Sequence, residues 1–509
     1  MNSQFIVWSD MISSQAFEVE ALSFDTKQRV SESVFTGEDL ITEQAPIAAA
    51  DFVVIEDEQQ QKIWFAQAIE PQRNLSKLGL SRDNPSQMSM LQRVLSAEIE
   101  VSVFMKQVYY YRFRLIGEVA NGMLSSVRRR PRVGSQGRLA TSDEIVQYMS
   151  FPGIICESSS QNNIIGRIHE SSIPVAIDPK RIFYHTLVAG ATGSGKSNTV
   201  GNIIKAALAQ NMACIVFDHK PDYQNIDSPN DETFLFDEGF QNMKLTPFGI
   251  PSVDYFVPYS PRDESRRRDE RKISISVSEV GTKMLAAAFF YRPGEELQRE
   301  TFSMMVSNFA ADNRGRTWTI DSFVQYVAKN KQNMNMMKKL NDGIEPNEMV
   351  VGAMLRKIAQ RKLPWMDSPK HRPASGSLMS EIDSSGTPEL FRPEASLKPG
   401  RLMVLRIASS GREYGLFLSY MLRKVYNLRR SHAITFPVCV IIDEAQDVFN
   451  GSKAVRDTAE DTINEVLRKG RSKQLGFVIA VQSASQVPSS IIQNLNSRII
   501  QPGFASYIA

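Results

Sequence analysis

The 509-residue chain has only three cysteines, Cys156, Cys214 and Cys439, far apart and in apolar or strand-like settings. That scarcity argues against a disulfide framework or a thiolate metal site and suits a reducing cytosol. An excess of either charge is also missing. Lys and Arg number 59 against 56 Asp and Glu, for a formal net charge of +3, so any nucleic-acid contact must come from local clusters. No apolar run reaches the ~18–20 residues that a membrane span needs. The opening "MNSQFIVWSDMISSQAFEVE" lacks the basic start and apolar centre of a signal peptide. The five histidines show no ligand spacing, and there is no fixed-period repeat or low-complexity tract. These absences predict a soluble, cytoplasmic protein with no membrane partner. What is present, 42% hydrophobic and 23% charged residues, is ordinary globular composition with length for several domains.

The texture of the sequence changes along the chain. Residues 1 to about 135 hold short β-rich runs, among them "FEVEALS", "ADFVVIEDE", "KIWFAQAIE", "AEIEVSVFM" and "VYYYRFRLIGEV". Polar turns separate them, which predicts a small barrel or sandwich, with one helix around Ser86 to Ala97. "SSVRRRPRVGSQGR", with five Arg, reads as an exposed linker. "TSDEIVQYM" reads as a helix capped by Thr141 with Glu144 three residues on. From about 151, strand and helix patterns alternate, predicting a parallel sheet with right-handed crossovers. Met-rich helical patterns fill about 260 to 395. The expected organisation is a barrel (1–135), a first core segment (136–260), a helical insertion (261–395) and a second core segment (396–509). The fold class is α/β, with a parallel-sheet core.

Within that core, "TLVAG" is an apolar strand followed by Gly190-Ala191-Thr192-Gly193-Ser194-Gly195-Lys196-Ser197, which fits G-x-x-x-x-G-K-[ST] without exception. The glycines let backbone N–H groups turn inward on phosphates, and the following helix adds the partial positive charge of its N-terminus. Lys196 is expected at the β/γ-phosphates of ATP and the Ser197 hydroxyl on Mg²⁺, with Gly190, Thr192, Gly193, Ser194, Gly195 and Asn198 lining the phosphates. "VCVIIDEAQDVF" delivers Asp443 and Glu444 at the end of a buried-type strand. Alone such a pair is weak, because apolar strands often end in acidic turns. With an intact phosphate loop upstream, it predicts Asp443 on Mg²⁺ and Glu444 as the base that polarises water. Gln482, ending "FVIAVQ", is a candidate γ-phosphate sensor, and Arg471, after Gly470, a candidate arginine finger acting in trans. Lys220 and the cluster Arg266–Arg268, with Arg271 and Lys272, are candidate DNA-phosphate contacts, although the cluster is interleaved with acids and reads better as a solvated face.

The order "IIGRI", "IPVAID", "HTLVAGATGSGKSNT", "CIVFDHKPDY", "DEAQDVF" and "RKGRSKQLGFVIAVQSASQVPSSIIQNLNSRII" resembles the HerA family of hexameric DNA translocases, in the wider HerA–FtsK group. The resemblance implies a homo-hexamer that hydrolyses ATP with Mg²⁺ and translocates on or unwinds double-stranded DNA. It implies Lys196, Ser197, Asp443, Glu444 and Gln482 in the roles above, Asp218 near the nucleotide and Arg471 as the finger. It also implies a separate partner, a NurA-like nuclease or a Sir2-like effector, in DNA-end processing or anti-phage defence. There are departures. Tyr184-His185 stands where the family often has Arg-His, and "DHKPDY" replaces the more usual Asp-Pro-x-Gly-Glu-Tyr turn. The chain ends at Ala509, where relatives usually continue, so a bracing C-terminal segment is expected to be absent or shortened. Competing readings are a conjugation-type ATPase of the VirB4/TraG kind and a hexameric ATP-binding scaffold that organises an effector without translocating.

Overall fold

The computed structural model describes residues 5–9, 18–24, 47, 50–69, 73–74, 108–132, 134–150, 164–168, 173–229, 249–260, 269–344, 347–361, 363–366, 389–407 and 411–501. They fall into two compact units. The helix expected at 86–97 and the run "AEIEVSVFM" lie outside the described residues.

The first unit is an antiparallel sheet of β1 (Phe5–Ser9), β2 (Glu18–Phe24), β3 (Phe52–Asp57), β4 (Lys62–Ala68), β5 (Arg73–Asn74), β6 (Val108–Ala120), β7 (Met123–Ser125) and β8 (Gln136–Leu139). The strand order β2-β1-β8-β3-β4-β6 returns on itself, because β2 also pairs with β6 over its whole length. Closing the sheet leaves no open edge on that path, as the expected barrel requires. Strand alternation separates two apolar clusters. Val53, Ile55, Trp64, Ala66, Tyr111 and Phe113 form one. Phe52, Val54 and Phe65 form the other, with Ile145, Tyr148 and Met149 of helix α1 (Ser142–Ser150). The Thr141–Glu144 cap is formed: Glu144 N–H donates to Thr141 Oγ1 at 3.2 Å, and Thr141 N–H to Glu144 Oε2 at 2.8 Å.

The Arg-rich stretch is not the free linker its composition suggests. Arg128 and Arg129 donate backbone N–H groups to Glu118 Oε1, both at 2.6 Å, and Arg132 grips Asp57 with two bonds of 3.0 Å. Asp57 and Glu118 are buried, and a buried carboxylate needs donors. The run of Arg supplies them, so it is strapped to the barrel.

The second unit carries a nine-stranded, wholly parallel sheet of β11 (Thr186–Ala189), β12 (Ala213–Asp218), β13 (Val253–Pro258), β14 (Arg271–Ser274), β15 (Glu389–Leu390), β16 (Leu402–Arg406), β17 (Val438–Ile442), β18 (Leu475–Val481) and β19 (Ser497–Ile500). Their order is β15-β14-β13-β16-β12-β17-β18-β11-β19. Two short strands, β9 (Ile164–Arg167) and β10 (Pro174–Ala176), pair with each other and lie outside both larger sheets among the described residues. The central strands read as continuous apolar runs because both faces of the sheet are covered. In β12, Ala213, Ile215 and Phe217 enter one core, while Cys214 and Val216 enter the other. Helix α2 (Lys196–Ala209) covers the second face through Val200, Ile203, Ile204 and Ala207.

The first face is covered by the segment 261–395 and by two later helices. That segment holds α3 (Thr282–Phe289), α4 (Glu296–Asp312), α5 (Ile320–Asn330), α6 (Met334–Leu340) and α7 (Glu348–Gln360). It is not purely helical as its texture suggests, since β14 and β15 come from it and extend the main sheet. The later helices are α8 (Gly411–Arg430) and α9 (Lys453–Gly470). On α8, Phe417, Met421 and Val425 are buried and Leu428 is partly buried against the same core. Cys214 and Cys439, remote in sequence, face each other in register on β12 and β17, both free and buried; Cys156 lies outside the described residues.

The helical segment is held by aromatic packing. Phe302 meets Phe289, Phe290 and Phe323 with ring centroids 5.7, 5.3 and 5.6 Å apart. Phe302→Ala removes a fully buried ring at that crossing. It is expected to destabilise the protein by about 3–5 kcal/mol, read as a lower denaturant midpoint; an unchanged midpoint would refute this account of the packing.

Candidate nucleotide site

In a parallel sheet every strand delivers its C-terminal end to the same edge. Gly190 follows β11, Asp218 ends β12, Asp443 follows β17 and Gln482 follows β18, so residues up to 292 positions apart in the chain meet along one rim. The loop from Gly190 to Gly195 runs directly into α2, with Gly193 at φ +81° and Gly195 at φ +90°. Both values favour glycine, and they explain why the loop needs it there. Gly190 has no room for a Cβ either, because the Ser194 hydroxyl and the Gln501 carboxamide occupy that space. Thr192 and Asn198 are exposed on the loop and the first helical turn.

Lys196 opens α2 and is buried. Its ammonium stands 2.6 Å from Glu444 Oε1 and 3.7 Å from Asp443 Oδ1. Glu444 adopts φ +48°, a left-handed turn straight after β17 that few non-glycine residues take. The same carboxylate receives Gln482 Nε2 at 2.8 Å, lies 3.3 Å from the Lys220 ammonium, and accepts a bond from Gln446. Burial pushes the Glu444 carboxyl up, but Lys196, Gln482 and Lys220 outweigh it and hold the pKa below its ordinary value. Glu444 is therefore kept ionised, which is compatible with the base role expected of it.

Asp443 is different. Burial, joined by the neighbouring Glu444 and Asp222 carboxylates and opposed by Lys196, pushes it up to about 6. Its Oδ1 accepts the Glu444 N–H at 3.0 Å, and Tyr414 OH clamps its backbone carbonyl at 2.7 Å. Its Oδ2 is buried without a hydrogen-bond partner. Asp218 is pushed up to about 8, chiefly by burial, although it accepts the N–H groups of Asp222 (3.2 Å) and Tyr223 (3.3 Å). Asp222 in turn accepts a 2.7 Å bond from Ser197 Oγ.

An orphaned, buried carboxylate oxygen and a serine hydroxyl on the same rim fit a Mg²⁺–nucleotide. Ser197 and Asp443 would hold the metal, which would neutralise phosphate charge and help orient the γ-phosphate. Lys196 would turn to the β/γ-phosphates, leaving Glu444 held by Lys220 and the two glutamine amides, free to take a proton from water.

The rim thus brings together Lys196, Ser197, Asp218, Asp443, Glu444 and Gln482. It does not include Arg471. That residue follows α9 and precedes β18, so it stands at the opposite, N-terminal edge of the sheet. Its guanidinium stacks on the Tyr184 ring, 3.8 Å from the centroid. Tyr184 is 39% exposed, while the adjacent His185 is buried at φ +61° with Nε2 2.9 Å from Leu467 O. Lys220 also departs from its sequence reading as a DNA contact, because it faces Glu444. Lys220, Asp222 and Gln446 were missed as site residues. Their only signal was closeness to Asp218 and Glu444 in the sequence. Arg266–Arg268 lie outside the described residues, while Arg271 and Lys272 open β14, where Arg271 pairs with Asp254 at 3.5 Å and stacks on Phe256. Among the described residues no helix is long and apolar enough to cross a membrane.

Fold and site define a RecA-like P-loop ATPase, an ATP-hydrolysing enzyme. Residues 163–389 match the family model for the central domain of the helicase HerA. Two curated relatives, each named DNA double-strand break repair helicase HerA, are 20% identical to the chain. The protein of Sulfurisphaera tokodaii aligns over 426 residues and that of Sulfolobus acidocaldarius over 431, in both cases 82% of this chain and 72% of the relative. Over part of its length, then, the chain is similar to HerA-family proteins. Among solved structures, the bacterial conjugative coupling protein TrwB is similar at 14% identity and a TM-score of 0.41, over 71% of this chain and 75% of that one, a likeness too loose to carry weight.

Glu444→Gln keeps the shape of the site and removes the base. Turnover of ATP is expected to fall on the order of 10²–10⁴-fold while nucleotide still binds, as measured by phosphate release beside a binding titration. Turnover within a few-fold of the unaltered protein would dismiss Glu444 as the base.

Proposed function

We propose that the chain is an ATP- and Mg²⁺-dependent motor that works as a hexameric ring and moves double-stranded DNA. The observation that carries this reading is the division of the catalytic charges between two edges of one sheet. The phosphate loop, the acids and Gln482 stand on the C-terminal rim. Arg471 is displayed on the opposite edge, half-fixed on an exposed tyrosine. An arginine so placed cannot serve its own phosphate loop, but in a head-to-tail ring it faces the loop of the next copy, where it would stabilise charge developing on the γ-phosphate. Hydrolysis then depends on subunit contact, and contact can be coupled to movement. Support for DNA as the track comes from the relatives, whose names describe DNA-repair helicases. In this reading Asp218 and the phosphate-loop residues bind ATP, and the motor serves a separate NurA-like nuclease or Sir2-like effector, in DNA-end processing or anti-phage defence within the cytoplasm.

The decisive experiment measures ATP turnover with and without duplex DNA on protein whose mass in solution is known. A hexamer stimulated by DNA is the expected result. A hexamer indifferent to DNA that nevertheless alters an effector's activity would replace the motor with a scaffold.

The trans arrangement has its own test. Lys196→Ala subunits cannot engage nucleotide but still present Arg471, and Arg471→Ala subunits do the reverse. Each alone is expected to be nearly inactive, and mixing them to restore a measurable fraction of turnover. No recovery in assembled mixed rings would place the finger elsewhere.

A further inference from the structure

We infer that Gln501 is a positioning residue of the nucleotide site, one that holds the empty phosphate loop in its binding form; the inference rests on the ATPase reading above. Gln501 is the first residue after β19. Its backbone N–H donates to Ala189 O at 2.9 Å, extending the β11–β19 ladder by one bond, up to the start of the loop. Its side chain then does two things. Oε1 accepts the Ser194 hydroxyl at 2.9 Å, and Nε2 donates to Thr199 Oγ1 at 2.6 Å. Ser194 is on the loop and Thr199 in the first turns of α2, so one carboxamide bridges the loop to the helix whose N-terminus faces the phosphates. The same carboxamide oxygen would lie 2.8 Å from a Cβ on Gly190, so the glycine that begins the loop leaves room for this bridge.

The physical need is clear. A loop with glycines at Gly190, Gly193 and Gly195 has many backbone states when nothing is bound, and ordering them on binding costs conformational entropy. A tie to an edge strand of the main sheet restricts those states beforehand, which raises affinity without adding a contact to the ligand. Both partners of the tie are neutral hydroxyls, and neither is used by the hydrolysis chemistry assigned to Lys196, Ser197, Asp443 and Glu444. Gln501 therefore acts on nucleotide binding through the loop and not on the proton transfer.

The test is a titration of the unaltered protein, Gln501→Ala and Gln501→Glu with a fluorescent ATP analogue and Mg²⁺, beside thermal melts and steady-state turnover. Gln501→Ala is expected to bind on the order of 5–30-fold more weakly, the loss of two modest hydrogen bonds. KM should rise by a similar factor, with kcat moved less than about twofold and the melting temperature unmoved. Gln501→Glu should bind more weakly still, because its charge lies beside the bound phosphates. Thr199→Val should weaken binding in the unaltered chain and add little in the Gln501→Ala chain, since the bond it removes is already gone. Equal or tighter binding by Gln501→Ala would overturn the inference. So would a fall in kcat and melting temperature together, or full additivity with Thr199→Val. An unaltered protein that binds no nucleotide would instead overturn the ATPase reading itself.

Discussion

Everything at the rim depends on one buried ion pair, Lys196 with Glu444. An ammonium and a carboxylate at 2.6 Å, both almost fully enclosed, are stable only while each has the other or an equivalent charge. The site is built around that condition. Glu444 takes a left-handed backbone turn to reach the lysine, and two glutamine amides with Lys220 complete its donors. Were phosphates to draw Lys196 away, Glu444 would keep three partners, so the exchange would leave no charge stranded. A nucleotide's own charge would then replace the one that the lysine gives up.

The sheet that supports this pair also links its two edges. Strands β11, β18 and β19 each run the whole way from the Tyr184–Arg471 stack to the phosphate loop. At one end Asn496 and Ser497 N–H groups bond to Tyr184 and His185 carbonyls; at the other Gln501 bonds to Ala189. The two edges are thus joined by only a few residues of parallel strand.

Much of this was legible in the chain before folding. The phosphate loop is contiguous, so its glycines, Lys196 and Ser197 declare themselves by spacing alone. Asp443, Glu444 and Gln482 were legible for a different reason: each ends an apolar run, and parallel strands end at the ligand edge. Lys220 was not. It sits on a short turn that reads equally well as a solvated loop, and only the closure of β12 beside β17 brings it to Glu444. The Arg-rich stretch misled for a related reason. Composition reports charge but not the buried Asp57 and Glu118 that call for it.

The sequence by itself determined the chemistry available: a phosphate-binding loop, an acid pair, an amide and a parallel α/β core, all encoded in short-range spacing and periodicity. The tertiary structure alone decided the assignments between distant residues. It set Cys214 beside Cys439 without joining them, sent Arg471 to the edge away from its own phosphate loop, and brought Gln501 back to Ser194 and Thr199. The reason is physical. Local patterns report what a residue can do within a turn or a strand, whereas partners hundreds of residues apart are chosen by strand order. That order follows from how the whole sheet buries its two apolar faces.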